Sequence, residues 1–368
     1  MTASRVWLSA FCLTTVIGAS LATNSAFGQD SIAVKLATAQ RKAAARAAES
    51  AAFYAAAQPL EMRLTTNLRR IRGDKSENSP WRSATVTYSD ASGIPVSIPT
   101  QIKTRGIWRL KNCEFPPVRL NFKAESTKGT LLKGIDKPKL VSYCRNNDDY
   151  ERYITQEMQL YRIFVLLTPA SHRARLLRMS YADSATGKVQ ATRMAILLEE
   201  PELVAARLRG SLVNIKGAVP SDLVTYQDAL TAVFQYLIGN TDWSTYALHN
   251  MELVQMEDGD HVPIPYDFDF SGAIDASYAT VDPSLSVQRV RERLFRGYCH
   301  KPEDFAKVFS LFNEKKSAIY ALYSDSIGSM LPKKTVDATL KYFDEFYETI
   351  NNPKRARYDI FDACVKTD

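Results

Sequence analysis

Apolar and polar residues alternate with a period of two in the first half of the chain. In the last third they recur at helical spacing. From residue 61 to 143 the pattern is mostly strand-like. Ala84-Thr85-Val86-Thr87-Tyr88 predicts a strand, and Ser89-Asp90-Ala91-Ser92-Gly93 the turn that follows. A second strand is expected from Val96 to Thr104, interrupted by Pro99. Val118-Arg119-Leu120-Asn121-Phe122-Lys123 alternates cleanly, so one of its faces is buried. Lys139 to Tyr143 is a further short strand, and residues 176–182 and 192–198 add two more. Between them, Ile154, Met158, Tyr161, Ile163, Phe164 and Leu167 mark the apolar face of a helix over 153–167, stopped by Pro169.

From residue 221 the pattern turns helical. Ser221 and Asp222 suit an N-cap, Leu223, Leu230, Val233, Phe234, Leu237 and Ile238 share a face, and Gly239 suits the residue after the helix end. Residues 303–364 read as helix broken at Pro332 and Pro353. The plan is α+β, a β-rich lobe over 58–220 followed by a mainly helical lobe over 221–368. Before both lies an Ala-rich segment, 29–57, that predicts a weakly packing helix or a spacer.

One hairpin stands out. Met251 to Met256 and His261 to Tyr266 predict two strands joined at Asp258-Gly259, a two-residue turn signal. That turn sets Asn250 opposite Asp267 at the open end of the hairpin, residues 250–267. Pro263 and Pro265 then fall where the neighbouring strand requires no N–H, and they bar a third strand from the other side. Parity turns Val262, Ile264, Tyr266 and Phe268 towards the core, and Asp267 and Asp269 away from it, beside Asn250. Asp242 lies on the loop leading in. Carboxylates and an amide on one rim suit a hard cation such as Mg²⁺ or Mn²⁺.

Composition places the chain. An apolar run from Val6 to Gly18 follows the single charge Arg5 and is too short to span a bilayer. It reads as a secretory signal over 1–28, with cleavage before Gln29 or, second, after Ala22. A periplasmic or secreted protein with no stable membrane insertion is expected. Beyond Cys12 remain Cys113, Cys144, Cys299 and Cys364. An even number in an oxidising compartment predicts two disulfides. Of three pairings, Cys113–Cys144 and Cys299–Cys364 are favoured, because each joins one region of the chain. No Cys-x-x-Cys spacing supports zinc. The net charge of +7 attracts anions, but the basic residues are dispersed among acids, which argues against nucleic acid as the main partner.

These motifs together carry a resemblance. Thr104-Arg105-Gly106 with Phe115-Pro116-Pro117-Val118-Arg119-Leu120, Ala195 to Glu200, Gly239-Asn240-Thr241-Asp242, and Ile264-Pro265-Tyr266-Asp267-Phe268-Asp269-Phe270-Ser271-Gly272 resemble the secreted kinase-like family named after the spore-coat protein CotH. The resemblance covers residues 100–300 and implies a two-lobed kinase-like fold. It implies a phosphotransferase that uses ATP or a related nucleotide with Mg²⁺ or Mn²⁺ on a protein or glycan hydroxyl. Asp242 would serve the acceptor hydroxyl. Asn250, Asp267 and Asp269 would hold the metal, Glu157 would position a phosphate-binding base, and Arg105, Arg119 or Lys123 would bind phosphate. Asn250 follows Asp242 by eight positions where kinases use five, and no G-x-G-x-x-G loop is present. The alternative is a noncatalytic kinase-like envelope scaffold that binds a partner or glycan.

Three further features are ambiguous. Trp108 among Arg105, Arg109 and Lys111 suits either base stacking or the core. His249 suits packing or surface more than the site. Arg289, Arg291, Arg293 and Arg296 read as a solvated helix face or, second, as an anion dock. No G-x-S-x-G motif supports Ser-His-Asp catalysis.

Overall fold

The computed structural model describes residues 22–367. The apolar run of the expected signal therefore lies outside the described residues. A helix, Ala22–Glu49, passes through both expected cleavage points, and a short helix, Ala51–Ala55, follows, as the alanine content predicts. Residues 43–368 form one compact unit.

Seven strands make the first layer. They are β1 (Leu60–Thr66), β2 (Arg82–Ser89), β3 (Pro95–Thr104), β4 (Val118–Phe122), β5 (Lys139–Val141), β6 (Ala174–Asp183) and β7 (Val189–Leu198). Their order is β1-β2-β3-β4-β5-β7-β6, and β6 closes back on β1. The closing pair is parallel, from Leu60 opposite Leu177 to Thr66 opposite Asp183, while the other ladders are antiparallel. This overturns the two-lobed kinase-like fold. The β-rich part is a closed barrel, and the strand that closes it, β1, is one the sequence pattern did not mark. Closure removes both sheet edges.

Period-two burial in β1 to β4 sends Leu64, Val86, Ile98, Ile102, Leu120 and Phe122 into the barrel, where Phe115, Tyr143 and Tyr181 fill the centre. Strands β6 and β7 are buried on both faces. Their outer residues Leu176, Met194, Ile196 and Leu198 share a second core with the helices Asp148–Leu167, Thr225–Ile238, Pro302–Ala321 and Lys333–Ile350. One hydrophobic core thus joins the barrel wall to the C-terminal helices, which is why the two halves do not stand as independent lobes.

The second sheet has the order β10-β9-β8, from β8 (Ser211–Val213), β9 (Met251–Gln255) and β10 (His261–Pro265). Strand β10 is an edge, as Pro263 and Pro265 require. The register differs from the expected one by one residue. Val262 faces Val254 and Pro265 faces Met251, so Asn250 lies opposite Tyr266, whose N–H donates to the Asn250 carbonyl over 3.1 Å. The cause is the turn. Met256 N–H donates to Asp260 O over 2.8 Å, which encloses three residues rather than two, with Gly259 at φ 96°. The prolines still occupy positions without ladder hydrogen bonds.

Both favoured disulfides are present, Cys113–Cys144 and Cys299–Cys364. Among the described residues no helix is long and apolar enough to cross a membrane. Ser221 and Asp222 form a short 3-10 turn rather than the cap of the following helix, and Asp222 accepts from Val219 N–H instead. The arginine run is not helical. Arg293 donates to the carbonyls of Tyr236, Leu237 and Tyr342 and lies 3.5 Å from the Tyr342 ring centroid. It therefore caps the C-terminus of the Thr225–Ile238 helix.

The motif Glu199-Glu200 is explained by packing. Glu200 receives two hydrogen bonds from Arg46, at 2.6 and 2.7 Å, and two more from the N–H groups of Asp136 and Lys137. Glu199 is clamped between Arg173 and Arg207. Both are latches between elements.

Candidate functional site

The site forms where the Thr225–Ile238 helix ends. Gly239 takes the left-handed conformation at φ 63°, as the sequence predicts, and a Cβ there would meet Tyr342 Oη at 1.9 Å. Asn240 then organises the loop. Its amide contacts Gln235, its Oδ1 accepts from Asp242 N–H at 3.0 Å, and its carbonyl accepts from Trp243 Nε1. Gly272 and Ala273 donate backbone bonds to Gly239 and Ile238, so the segment after Asp269 is tied to the same helix end. Arg296 holds the Thr241 carbonyl from the other side.

Asp242 stands at the open rim, its side chain 39% exposed. Asn250 Nδ2 donates to its backbone carbonyl at 2.7 Å and its carboxylate at 3.0 Å. His249 Nε2 meets the other carboxylate oxygen at 2.8 Å, and this bond raises the histidine pKa. His249 is thus an exposed surface residue, as expected, that also touches Asp242. Leu248, Asn250 and Asp267 all have φ between 50° and 63°. Left-handed backbone is tolerable for Asn and Asp but costly for Leu, and such geometry clusters at functional sites.

Asp267 is the centre. Its N–H donates to Tyr161 Oη at 2.9 Å. Its charge acts on Arg105, Arg109, Lys139, Glu157, His249 and Asp269. Asp269 is buried, accepts from Tyr278 Oη at 3.0 Å, and has Arg109 at 3.7 Å. Burial, with the Asp267 charge second, pushes its pKa up to about 7. Glu157, from the middle of the Asp148–Leu167 helix, is also buried and accepts from Phe268 N–H, while its Oε1 has no hydrogen-bond partner. Burial and the two aspartates raise its pKa well above the carboxylate range. Parity had turned Asp269 away from the core; it is buried because β10 ends at Pro265.

Cations face this acid group. Burial lowers the Arg105 pKa, against the pull of Asp267 and with Arg109 and Arg119 repelling it. Burial, the largest single influence, opposes the Arg109 charge as well, but Asp269, Tyr278, Asp267 and Glu157 together outweigh it and the pKa is raised. Lys103, Arg119 and Lys139 lie directly opposite one another on β3, β4 and β5. Like charges in such a row are unfavourable without a counter-anion. Lys139 is buried, 3.1 Å from Glu252 and 3.7 Å from the centroid of Tyr266. The structure thus brings together Asp242, Asn250, Asp267, Asp269, Glu157 and Arg105, with Arg119 close enough to act on Arg105. It does not bring in Lys123, which is exposed past the end of β4, about 13 Å along the chain from Arg119.

Arg109 and Lys139 are two of the basic residues that compete in the sequence for the phosphate-binding role, whereas Tyr278 carried no sequence signal. Trp108 is 41% exposed and packs on Tyr278 and Phe270, with centroids at 5.6 and 5.9 Å. It is an open aromatic face beside Asp269.

Glu252 sits between Lys139 and His172, 2.9 Å from the latter. Burial alone would raise its pKa, but the two partners outweigh burial and bring it down to about 2. Lys139 is lowered too, because burial and Arg105 exceed what one carboxylate returns. A depressed carboxylate contributes stability that is present above its unfolded value near 4.5 and is lost as pH falls through the folded value. Acid unfolding is therefore expected to include a loss of on the order of 3 kcal/mol between pH 4.5 and 2 that Glu252→Gln lacks. Urea midpoints across that range measure it.

No protein-family model matches the chain, and no curated protein matches its sequence.

Proposed function

We propose that the protein is an exported phosphotransferase, periplasmic or secreted, that uses a metal-bound nucleotide to phosphorylate a protein or glycan hydroxyl. The observation that carries this reading is the juxtaposition at Asp267: buried carboxylates on one side, and Arg105, Arg109 and the Lys103–Arg119–Lys139 row on the other. One side suits a cation and the other a polyanion. A metal–nucleotide complex presents both.

The donor set fits a hard cation. Asp267 and Asp269 offer carboxylate oxygens, Glu157 Oε1 is a buried oxygen without a partner, and Asn250 keeps its amide oxygen while its N–H groups hold Asp242. Among the described residues no three His, Cys, Asp or Glu side chains are grouped to hold a metal on their own. Mg²⁺ normally takes one or two protein carboxylates and completes its shell with phosphates and water, so two suffice. When bound, Mg²⁺ or Mn²⁺ would neutralise phosphate charge. Arg105 and Arg119 would hold phosphate oxygens, and Trp108 would stack on the base. Asp242, at the rim and oriented by Asn250 and His249, would accept the proton of the acceptor hydroxyl. The signal pattern and the two disulfides support export.

Transfer of label from γ-labelled ATP in the presence of Mn²⁺ tests this reading, with the chain itself and envelope extracts as acceptors. Wild type is expected to transfer label. Asp242→Asn is expected to lose at least about a hundredfold in transfer rate while still binding Mn²⁺–ATP. Absence of label on every acceptor, or equal labelling by Asp242→Asn, would refute the assignment.

A further inference from the structure

The second sheet has two edges, and they differ. The outer side of β10 carries Pro263 and Pro265, which have no N–H to offer a further strand. Strand β8, at the other edge, contains no proline. Pro263 stands opposite Leu253 at a position without ladder hydrogen bonds, so the Leu253 backbone groups turn the other way, to Val213. Alternation along the strand then points the N–H and C=O of Leu212 outward, away from β9. Among the described residues neither group has a hydrogen-bond partner. Such an edge is a template for one more strand.

The edge leads to Asp242. Ser211 pairs with Gln255 and Val213 with Leu253, so β8 runs towards the end of β9 that follows Asn250. The chain beyond β8 is tied to the Asp242 loop, where Gly217 N–H donates to the Tyr246 carbonyl at 2.8 Å. Leu212, Ile215 and Tyr246 are 38%, 49% and 59% exposed and leave apolar surface along that route.

Charge and size select the occupant. Arg209 and Lys216 flank the strand, both exposed, and among the described residues neither side chain has an ionic partner. A segment with acidic residues complements them. Three paired residues fall far short of the ~800 Å² that each partner buries in a stable complex. That suits a substrate that binds and leaves better than a second copy of this chain. A glycan has no peptide backbone to pair with Leu212, whereas an extended peptide does.

We propose that the outer edge of β8 docks an extended acidic segment of a protein by strand addition at Leu212, and so carries a serine or threonine hydroxyl to Asp242. The acceptor is then a protein rather than a glycan. The transfer half of this statement rests on the phosphotransferase reading, and the docking half does not.

Fluorescence anisotropy of the full chain with a labelled nonapeptide of alternating valine and glutamate around a central threonine tests the docking. The same peptide N-methylated at alternate amides, in both phases, and a neutral maltooligosaccharide are further arms. Wild type is expected to bind the peptide and not the oligosaccharide. One N-methylated phase should bind at least about tenfold more weakly and the other like the parent, because only every second amide faces the edge. Leu212→Pro removes an N–H that no ladder bond uses, so it should keep the native circular dichroism spectrum and weaken binding at least about tenfold. No peptide binding, equal binding of both N-methylated phases and the parent, or tighter binding of the oligosaccharide would overturn the proposal. Transfer from Mn²⁺–ATP to the peptide threonine separates the two halves. Binding of the peptide without transfer would support the docking edge and count against the phosphotransferase reading. Transfer with a KM unchanged in Leu212→Pro would overturn the docking edge and leave that reading standing.

Discussion

Replacing Cys299 and Cys364 together by serine is expected to lower the stability of the folded chain by about 4 kcal/mol. The bond closes a loop of 65 residues, so its loss restores a large conformational freedom to the unfolded chain. The folded side of the equilibrium is prepared for the bond without it. Tyr298 and Val365 form a parallel bridge, Cys299 N–H donates to Val365 O at 3.1 Å, and Val365 N–H donates to Gly297 O at 2.8 Å. Phe361 packs on Phe305 and Phe309 just before the bridge. The serine variant should therefore keep its native spectrum and unfold at lower urea, with a somewhat steeper slope because its unfolded chain is less constrained. Removing Cys113–Cys144, with a separation of 31, should cost about half a kcal/mol less. It should also disturb the site, since Cys113 follows the Trp108–Asn112 helix that carries Arg109.

Glu199→Ala is expected to cost 3–5 kcal/mol, roughly the penalty of breaking a buried ion pair from one side. The Glu199 carboxylate accepts from Arg173 at 2.6 Å and from Arg207 at 2.9 Å, and it is 1% exposed. Burial alone would raise its pKa, but the two guanidinium groups outweigh burial and lower it. Truncation leaves both guanidinium groups facing one another without an anion. Glu199→Gln, which keeps an acceptor oxygen, should lose less. Equilibrium urea unfolding separates the two variants.

The strands with clean alternation were legible, because one buried face fixes both element and parity: Ala84 to Tyr88 and Val118 to Phe122 appear where expected. Gly239 and the disulfide pairing were legible for similar reasons, one from backbone conformation and the other from proximity in the chain. Barrel closure was not, because it depends on the long-range parallel pairing of β1 with β6, which leaves no local mark. The hairpin register failed on one residue. Asp258-Gly259 is a turn signal in either a two- or a three-residue loop, and only the closing hydrogen bond between Met256 and Asp260 tells them apart. Asp242, Asn250 and Asp267 were singled out from the local spacing around one hairpin and Glu157 from the resemblance, and the fold sets them near one another. Arg109, Lys139 and Tyr278 reach the same place from distant segments. The arginine run misled because its helical spacing coincides with a segment folded as turns, where Arg293 caps another helix.

The binding of Mn²⁺–ATP to wild type and to Asp267→Asn, followed by isothermal titration, tests the central claim most directly. Asparagine tolerates the left-handed backbone at this position, with φ 63° in the native chain, so the variant removes charge without adding backbone strain. Saturable one-to-one binding by wild type, weakened at least about a hundredfold in Asp267→Asn, is the expected result. Equal affinity in the two proteins, or no binding by either, would contradict the assignment of Asp267 as the centre of a metal–nucleotide site.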